Sequence, residues 1–241
     1  MNQLNPFACN HPSMGESDYT NPVPENLIAE MTANDSAKIK MILFDLGNVI
    51  VKFSHDRACE QMAKVAGTTT EEVHKALFDQ GLQEQYETGR LSSEEFLKQF
   101  NSAVGCSAEL EPLLLAGSDI FWLNSSIVPL IAQLGAAGVR IGILSNTCSA
   151  HWEFVLKNFP LVERRFDETV LSYEVHSMKP DPGIYKAAIQ MAGCSPDEIF
   201  FMDDRQENVT GACEAGIDAV LYESTAVLYR QLRQRGVQIN L

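Results

Sequence analysis

The apolar positions of this chain change period along its length. Met41-Ile42-Leu43-Phe44 is a continuous apolar run that ends abruptly in Asp45, and after Gly47 and Asn48 a second run, Val49-Ile50-Val51, begins. Such runs are typical of strands buried on both faces of a parallel sheet. From residue 55 the spacing becomes helical. Ala58, Met62, Ala63 and Ala66 share one face behind a cap at Ser54 or Asp56, and Gly67 ends that helix. Thr69 or Thr70 caps a second helix carrying Val73, Leu77 and Phe78, and Leu82 and Tyr86 mark a third. Ser92 and Glu95 have the spacing of a capping box ahead of Phe96, Leu97 and Phe100, and Leu110, Leu113 and Leu114 indicate another helix. Residues 55–124 thus read as helix with no good strand, joined to the rest through hinges at Phe53–Asp56 and Leu123–Ser125, where Phe121 and Trp122 are expected to pack.

Beyond that segment the period alternates. Ser126 is expected to cap Ile127, Leu130, Ile131 and Leu134, with Pro129 tolerated in the first turn. Strands are predicted at Val139–Leu144, Glu168–Leu171, Ile199–Met202 and Ile217–Leu221. Helices fill the intervals: about 149–158, Asp181-Pro182 to Gly193, a segment closing at Ala215, and about 225–235. Alternation of this kind implies a parallel sheet with helices on both faces. The expected fold class is therefore α/β: a doubly wound parallel sheet, residues 39–54 and 125–241, with an inserted all-helical unit at 55–124. Residues 1–38 lack periodicity, are punctuated by Pro6, Pro12, Pro22 and Pro24, and read as a flexible tail with at most a helical turn near Ile28-Ala29-Met31.

Composition narrows the function. The chain has 241 residues and a formal charge of −14. A field of that sign repels nucleic-acid backbones and anionic membranes, while a small phosphorylated substrate stays compatible where local cations screen the site. The six cysteines are scattered with no C-x-x-C pair, as expected of free thiols in a reducing compartment. No apolar run approaches the roughly 18 residues of a membrane span, and no basic and apolar leader opens the chain. The expected location is cytoplasmic.

The candidate chemistry lies at strand ends. Asp45, Ser145 and Asp203-Asp204 each follow a predicted strand, and Lys179 sits in the loop after another. Carboxyl ends of parallel strands face one crevice, so these groups can converge, together with a helix N-terminus near Ser149. Clustered carboxylates repel one another unless a cation or proton intervenes. Hard oxygen donors suit Mg²⁺.

Four segments in order, Asp45-Leu46-Gly47-Asn48-Val49, Leu144-Ser145-Asn146-Thr147, Met178-Lys179-Pro180-Asp181 and Phe200-Phe201-Met202-Asp203-Asp204, resemble the motifs of the haloacid dehalogenase-like hydrolase superfamily. The resemblance covers about residues 40–225, and the inserted helices resemble that family's C1 cap. It implies a Mg²⁺-dependent phosphatase acting on a small phosphorylated metabolite, with Asp45 as nucleophile and an aspartyl-phosphate intermediate. Mg²⁺ would sit among Asp45, the Gly47 carbonyl and Asp204, with Asp203 bound directly or through water. Ser145 and the Asn146 amide would donate to phosphoryl oxygens, the Asn146 side chain either facing substrate or not. Lys179 would neutralise charge, and Asn208 would orient a metal-bound water. Arg90 would meet a substrate anion from the cap, or else is an ordinary helix-end arginine, and His151 is expected to be a packed or surface histidine.

One departure narrows the resemblance. Many phosphatases of this superfamily carry an acid–base Asp two residues after the nucleophile, where this chain has Gly47. The wording is similar to a branch that includes sugar-1-phosphate phosphatases, whose anomeric leaving group needs less protonation. The superfamily's 2-haloacid dehalogenases also lack that Asp, so displacement of halide by Asp45 is an alternative, as is a non-catalytic binding protein. An unscreened Asp203-Asp204 pair argues against a metal-free dehalogenase.

Overall fold

The computed structural model describes residues 39–166 and 168–239. The expectations for residues 1–38, Cys9 included, fall outside them. Strands β1 (Met41–Phe44), β2 (Val51–Phe53), β3 (Phe121–Leu123), β4 (Arg140–Ser145), β5 (Glu168–Leu171), β6 (Ile199–Asp203) and β7 (Asp218–Leu221) form two sheets. The larger has the order β5-β4-β1-β6-β7 and is parallel throughout. The first strand is thus central. Its neighbours β4 and β6 arrive later in sequence from opposite sides, which makes its carboxyl end the switch point where open α/β sheets bind ligands.

Side chains of β1 alternate between two cores, as the period of a strand requires. Ile42 and Phe44 join Phe200 and Met202 in one cluster; Met41 and Leu43 join Ile199 and Phe201 in the other. Helices flank both faces. In chain order they are α1 (His55–Ala66), α2 (Thr70–His74), α3 (Leu82–Glu87), α4 (Ser93–Val104), α5 (Leu110–Ser118), α6 (Val128–Ala136), α7 (Ser149–Asn158), α8 (Pro160–Arg165), α9 (Ser172–Val175), α10 (Pro182–Ala192), α11 (Gln206–Glu214) and α12 (Thr225–Gln234). Leu130 and Ile131 of α6, Val155 of α7 and Leu232 of α12 cover the first face, whereas Ile184 and Tyr185 of α10 and Ala212 of α11 cover the second. The doubly wound α/β expectation holds.

The helices α1–α5, with the π-helical turn Lys75–Asp79 that follows α2, build a third cluster from Cys59, Met62, Val73, Leu77, Phe96, Phe100 and Leu113. Each large side chain buried there contributes about 1.5–3 kcal/mol. Local signals set their ends. The Ser54 side chain accepts from the Arg57 N–H, Thr69 and Glu72 form a capping box, as do Ser92 and Glu95, and Gly67 closes α1 at φ 67°.

Three sequence expectations need correction. The inserted segment does contain a strand, because β3 pairs antiparallel with β2 in the register Val51↔Leu123, Lys52↔Trp122, Phe53↔Phe121. The two chain crossings into the helical insertion are therefore laced together, a long-range pairing that no local pattern reveals. Trp122 does not pack; alternation along β3 turns it outward at 47% exposure while Phe121 meets Phe53 and Phe154. Ser126 does not cap α6, whose N-cap position is Ile127 and which has no side-chain cap; the Ser126 hydroxyl bonds Asn124 and Thr225 instead. The short helices α8 and α9 span six and four residues, too few for a periodic pattern to register.

Among the described residues no helix is long and apolar enough to cross a membrane. The five described cysteines are free.

Candidate active site

Asp45 directly follows β1, Ser145 ends β4 and Asp203 ends β6, so the central three strands deliver these side chains to one edge. Lys179 reaches the same point from the loop between α9 and α10. Its ammonium donates to Asp45 Oδ1 at 2.6 Å, to Asp203 Oδ2 at 2.6 Å and to the Leu144 carbonyl at 2.8 Å. All three of its donors are spent, and the side chain is 1% exposed. The loop is placed by Asn146, whose amide accepts from the Lys179 N–H at 2.8 Å and donates to the Lys179 carbonyl at 2.9 Å. The Asn146 side chain is therefore tied at both its oxygen and its nitrogen to the Lys179 backbone, although the residue also lines the cavity.

Asp203 is fully buried. Its Oδ1 accepts from the Arg205 N–H and from Asn208 Nδ2, both at 2.9 Å. Asn208 thus steadies Asp203 directly. Asp204 does not cap α11; its Oδ2 accepts from Asn48 Nδ2 at 2.8 Å. Asn48 has φ 55°, a left-handed conformation that asparagine tolerates better than most residues, and this bend turns its amide toward Asp204. The Gly47 carbonyl already accepts from the Val49 N–H at 2.7 Å, which leaves one lone pair for another partner. A Cβ placed on Gly47 would lie 2.9 Å from Phe53 Cε1 and 3.7 Å from Asp45 Oδ2. The Phe53 ring fills the space that a longer side chain at position 47 would need.

Asp45, Asp203 and Asp204 each offer an oxygen, and these oxygens lie within 4.8 Å of one another. Three carboxylates face one ammonium, so the group carries excess negative charge. Burial pushes the Asp45 carboxyl up to about 7, opposed by Lys179 and reinforced by Asp203 and Asp204. Burial pulls Lys179 down, but Asp45 and Asp203 outweigh it and the amine ends above its ordinary value. A hard divalent cation fits this donor set on charge and on ligand type.

Residues 39–216 match the haloacid dehalogenase-like hydrolase family. The chain belongs to that family. A D-ribitol-5-phosphate phosphatase from Bacteroides thetaiotaomicron is 30% identical over 201 residues, spanning 78% of this chain and 94% of that protein. A glyceraldehyde 3-phosphate phosphatase from Methanopyrus kandleri is 24% identical over 206 residues, spanning 76% and 83%. A solved haloacid dehalogenase-like enzyme from Bacteroides thetaiotaomicron, in complex with magnesium and inorganic phosphate, superposes with a TM-score of 0.71 at 30% identity, covering 80% of this chain and 100% of that one.

In this haloacid dehalogenase-like hydrolase the cluster opens into a cavity of about 160 Å³ walled by Asp45, Gly47, Asn146, Lys179, Asp204 and Asn208. Ser145, 2% exposed, lines an adjoining cavity of about 50 Å³ with Asn146 and Thr147. Its hydroxyl makes a long 3.4 Å contact to the Asn146 carbonyl, a weak bond that leaves it ready to reorient. Arg90 is not brought to the site; it is exposed and lines neither cavity. His151 packs at the seam with the helical insertion, Nε2 lying 3.2 Å from the Gly117 carbonyl and its ring edge-on to Phe121.

Sequence reasoning missed His55 and Glu87. Both line the two cavities from the helical side. Glu87 sits at the C-terminus of α3, its carbonyl accepting from the buried Ser172 hydroxyl at 2.6 Å. That hydroxyl also accepts from the Thr147 N–H at 2.9 Å. Glu87 stands three residues before Arg90, and in sequence nothing separates it from the other acidic residues of α3.

Proposed function

We propose that this hydrolase is a Mg²⁺-dependent phosphatase that cleaves a small sugar or polyol phosphate through an aspartyl-phosphate on Asp45. The observation that carries the reading is the arrangement of Asp45 with Lys179 at 2.6 Å and with oxygens of Asp203 and Asp204 within 4.8 Å, at the switch point of the sheet. The two named relatives, which act on ribitol-5-phosphate and glyceraldehyde 3-phosphate, support a short-chain phosphorylated metabolite. A magnesium- and phosphate-bound neighbour supports the metal.

Asp45, the Gly47 carbonyl and Asp204 would hold Mg²⁺, with Asp203 beside them. When bound, the ion would supply Lewis-acid polarisation and cancel repulsion between carboxylate and phosphate. The chain's own groups do the rest. Asp45 Oδ2, the oxygen facing Gly47, attacks phosphorus while Lys179 fixes Oδ1. Lys179 stays protonated because two carboxylates raise its affinity for the proton, so it offsets charge throughout the reaction. The Ser145 hydroxyl and the Asn146 backbone N–H donate to phosphoryl oxygens, and Asn146's side chain keeps Lys179 in place. The insertion from α1 to α5 serves as a cap whose helix ends wall the cavity and exclude water.

The test is phosphate release from ribitol-5-phosphate and glyceraldehyde 3-phosphate, with Mg²⁺ and after chelation. The expected result is metal-dependent release that Asp45→Asn abolishes. Release that survives either chelation or Asp45→Asn overturns the reading.

A further inference from the structure

The departing oxygen of an alkyl phosphate ester needs a proton, and the core side of the site has none to give. Lys179 spends its three N–H bonds on Asp45, Asp203 and Leu144. The Asn146 side chain is closed on Lys179. Position 47 bears no side chain, and Phe53 fills the space above it. Three further polar groups line the cavity: His55 and Glu87 on the opposite, helical wall, and Arg205 on the core side just after β6. Arg205 is permanently charged and pairs with Glu207. His55 lies between the rings of Phe53 and Phe78 at 5.0 and 4.9 Å, and burial holds it below its ordinary value, which disfavours the protonated form that would have a proton to give.

Glu87 differs from both. It lines the cavity of Asp45 and Asp204 and also that of Ser145 and Asn146. The Gln83 amide donates to Oε1 at 2.8 Å, and Oε2 carries no hydrogen bond among the described residues. Its backbone is pinned to the phosphate loop, because one buried hydroxyl, that of Ser172, bonds both the Glu87 carbonyl and the Thr147 backbone. The neighbouring Gly89 is packed so closely on the Tyr173 carbonyl that a Cβ would lie 2.1 Å from it. The α3 end is therefore docked, not free-swinging. Burial raises the Glu87 carboxyl, Gln83 and Arg205 oppose it, and Glu84 adds to it; Asp45, Asp204 and Lys179 line the facing wall of the cavity, and His55 lines the same wall as Glu87.

We propose that Glu87 is the proton carrier of the reaction, an inference that rests on the phosphatase reading above. In the first step Asp45 Oδ2 bonds to phosphorus, the ester P–O bond breaks, and the leaving oxygen takes the Glu87 proton to depart as an alcohol. In the second, water attacks phosphorus and gives its proton to the Glu87 carboxylate. The P–O bond to Asp45 then breaks, phosphate leaves, and both groups return to their starting states.

The experiment compares wild type, Glu87→Gln, Glu87→Asp and Asp45→Asn on two esters that lack hydroxyls to recognise. Ethyl phosphate has a leaving oxygen that needs a proton; p-nitrophenyl phosphate has one that does not. Glu87→Gln should lose roughly 10²–10⁴-fold in kcat on ethyl phosphate. On p-nitrophenyl phosphate it should give a burst of one equivalent of p-nitrophenolate and then a slow steady state, since only the second step needs the base. Glu87→Asp should recover part of both rates. Turnover of both esters by Glu87→Gln within about threefold of wild type overturns the proposal, as does a loss confined to KM with no burst. If Asp45→Asn releases p-nitrophenolate as fast as wild type, the aspartyl-phosphate reading falls and takes this proposal with it.

Discussion

On the core wall of the cavity, Asp45, Lys179 and Asp203 hold one another at 2.6 Å, and Asn146, Asn208 and the Arg205 N–H bind them from behind. On the helical wall, Glu87 is tied by one glutamine and His55 by ring contacts. The core wall stands on strand ends locked by sheet hydrogen bonds. The helical wall stands on the first residue of α1 and the last of α3, joined to the core through the β2–β3 ribbon, the Ser172 hydroxyl and the His151 seam. The difference teaches that charge is invested where the backbone is rigid.

The largest expected effect attacks the core wall. Lys179→Ala strands two buried carboxylates without a counter-ion, and should cost about 3–5 kcal/mol in urea unfolding. It should also lower kcat by roughly 10²–10³-fold or more, as loss of a preorganised donor does. A variant that melts like wild type would mean that the carboxylates ionise independently of Lys179.

Ser172→Ala strikes the tie between the walls. It removes the partner of the Glu87 carbonyl and of the Thr147 N–H, both buried against it, at about 1–3 kcal/mol. Faster amide exchange at Thr147 should accompany the loss. Unchanged exchange would show that the α3 end is held by other contacts.

The seam should be pH-sensitive. Burial lowers His151 from 6.5 to about 4, so the unfolded chain binds a proton that the folded chain refuses. Stability is then complete above about pH 6.5 and falls as pH drops toward 4, because the unfolded state carries the extra proton in that window. As His151 is only partly buried by area, the effect should be about 1–2 kcal/mol. Urea midpoints at pH 4.5 and 7 should differ by more in wild type than in His151→Gln, and equal differences would remove His151 as the cause.

The smallest effect is at the outer face of the ribbon. Trp122→Ser should change stability by no more than about 0.5 kcal/mol. A larger loss would show that the exposed indole is covered in solution.

The strand ends were legible because their signals are local. A buried strand must be an apolar run, and its first polar residue falls at the edge of the sheet; Asp45, Ser145 and Asp203-Asp204 follow from that alone. Helix ends at Ser54, Thr69, Ser92, Gly67 and Gly193 were equally local, since a cap satisfies backbone groups within one turn. The failures share the opposite property. Pairing of β2 with β3 joins residues about 70 positions apart, and a three-residue strand has too little pattern to declare itself. Arg90 looked suited to an anion by charge, yet the chain turns it outward after Gly89 docks on Tyr173.

The α/β class, the order of the motifs and the charged residues at the strand ends could be read along the chain, because each shows in a short local run. Which way Asn146 faces, that Phe53 occupies the space over Gly47, and that Glu87 lines the cavity emerged only from the folded molecule. Those outcomes depend on where two distant segments meet, and packing between segments has no period to read.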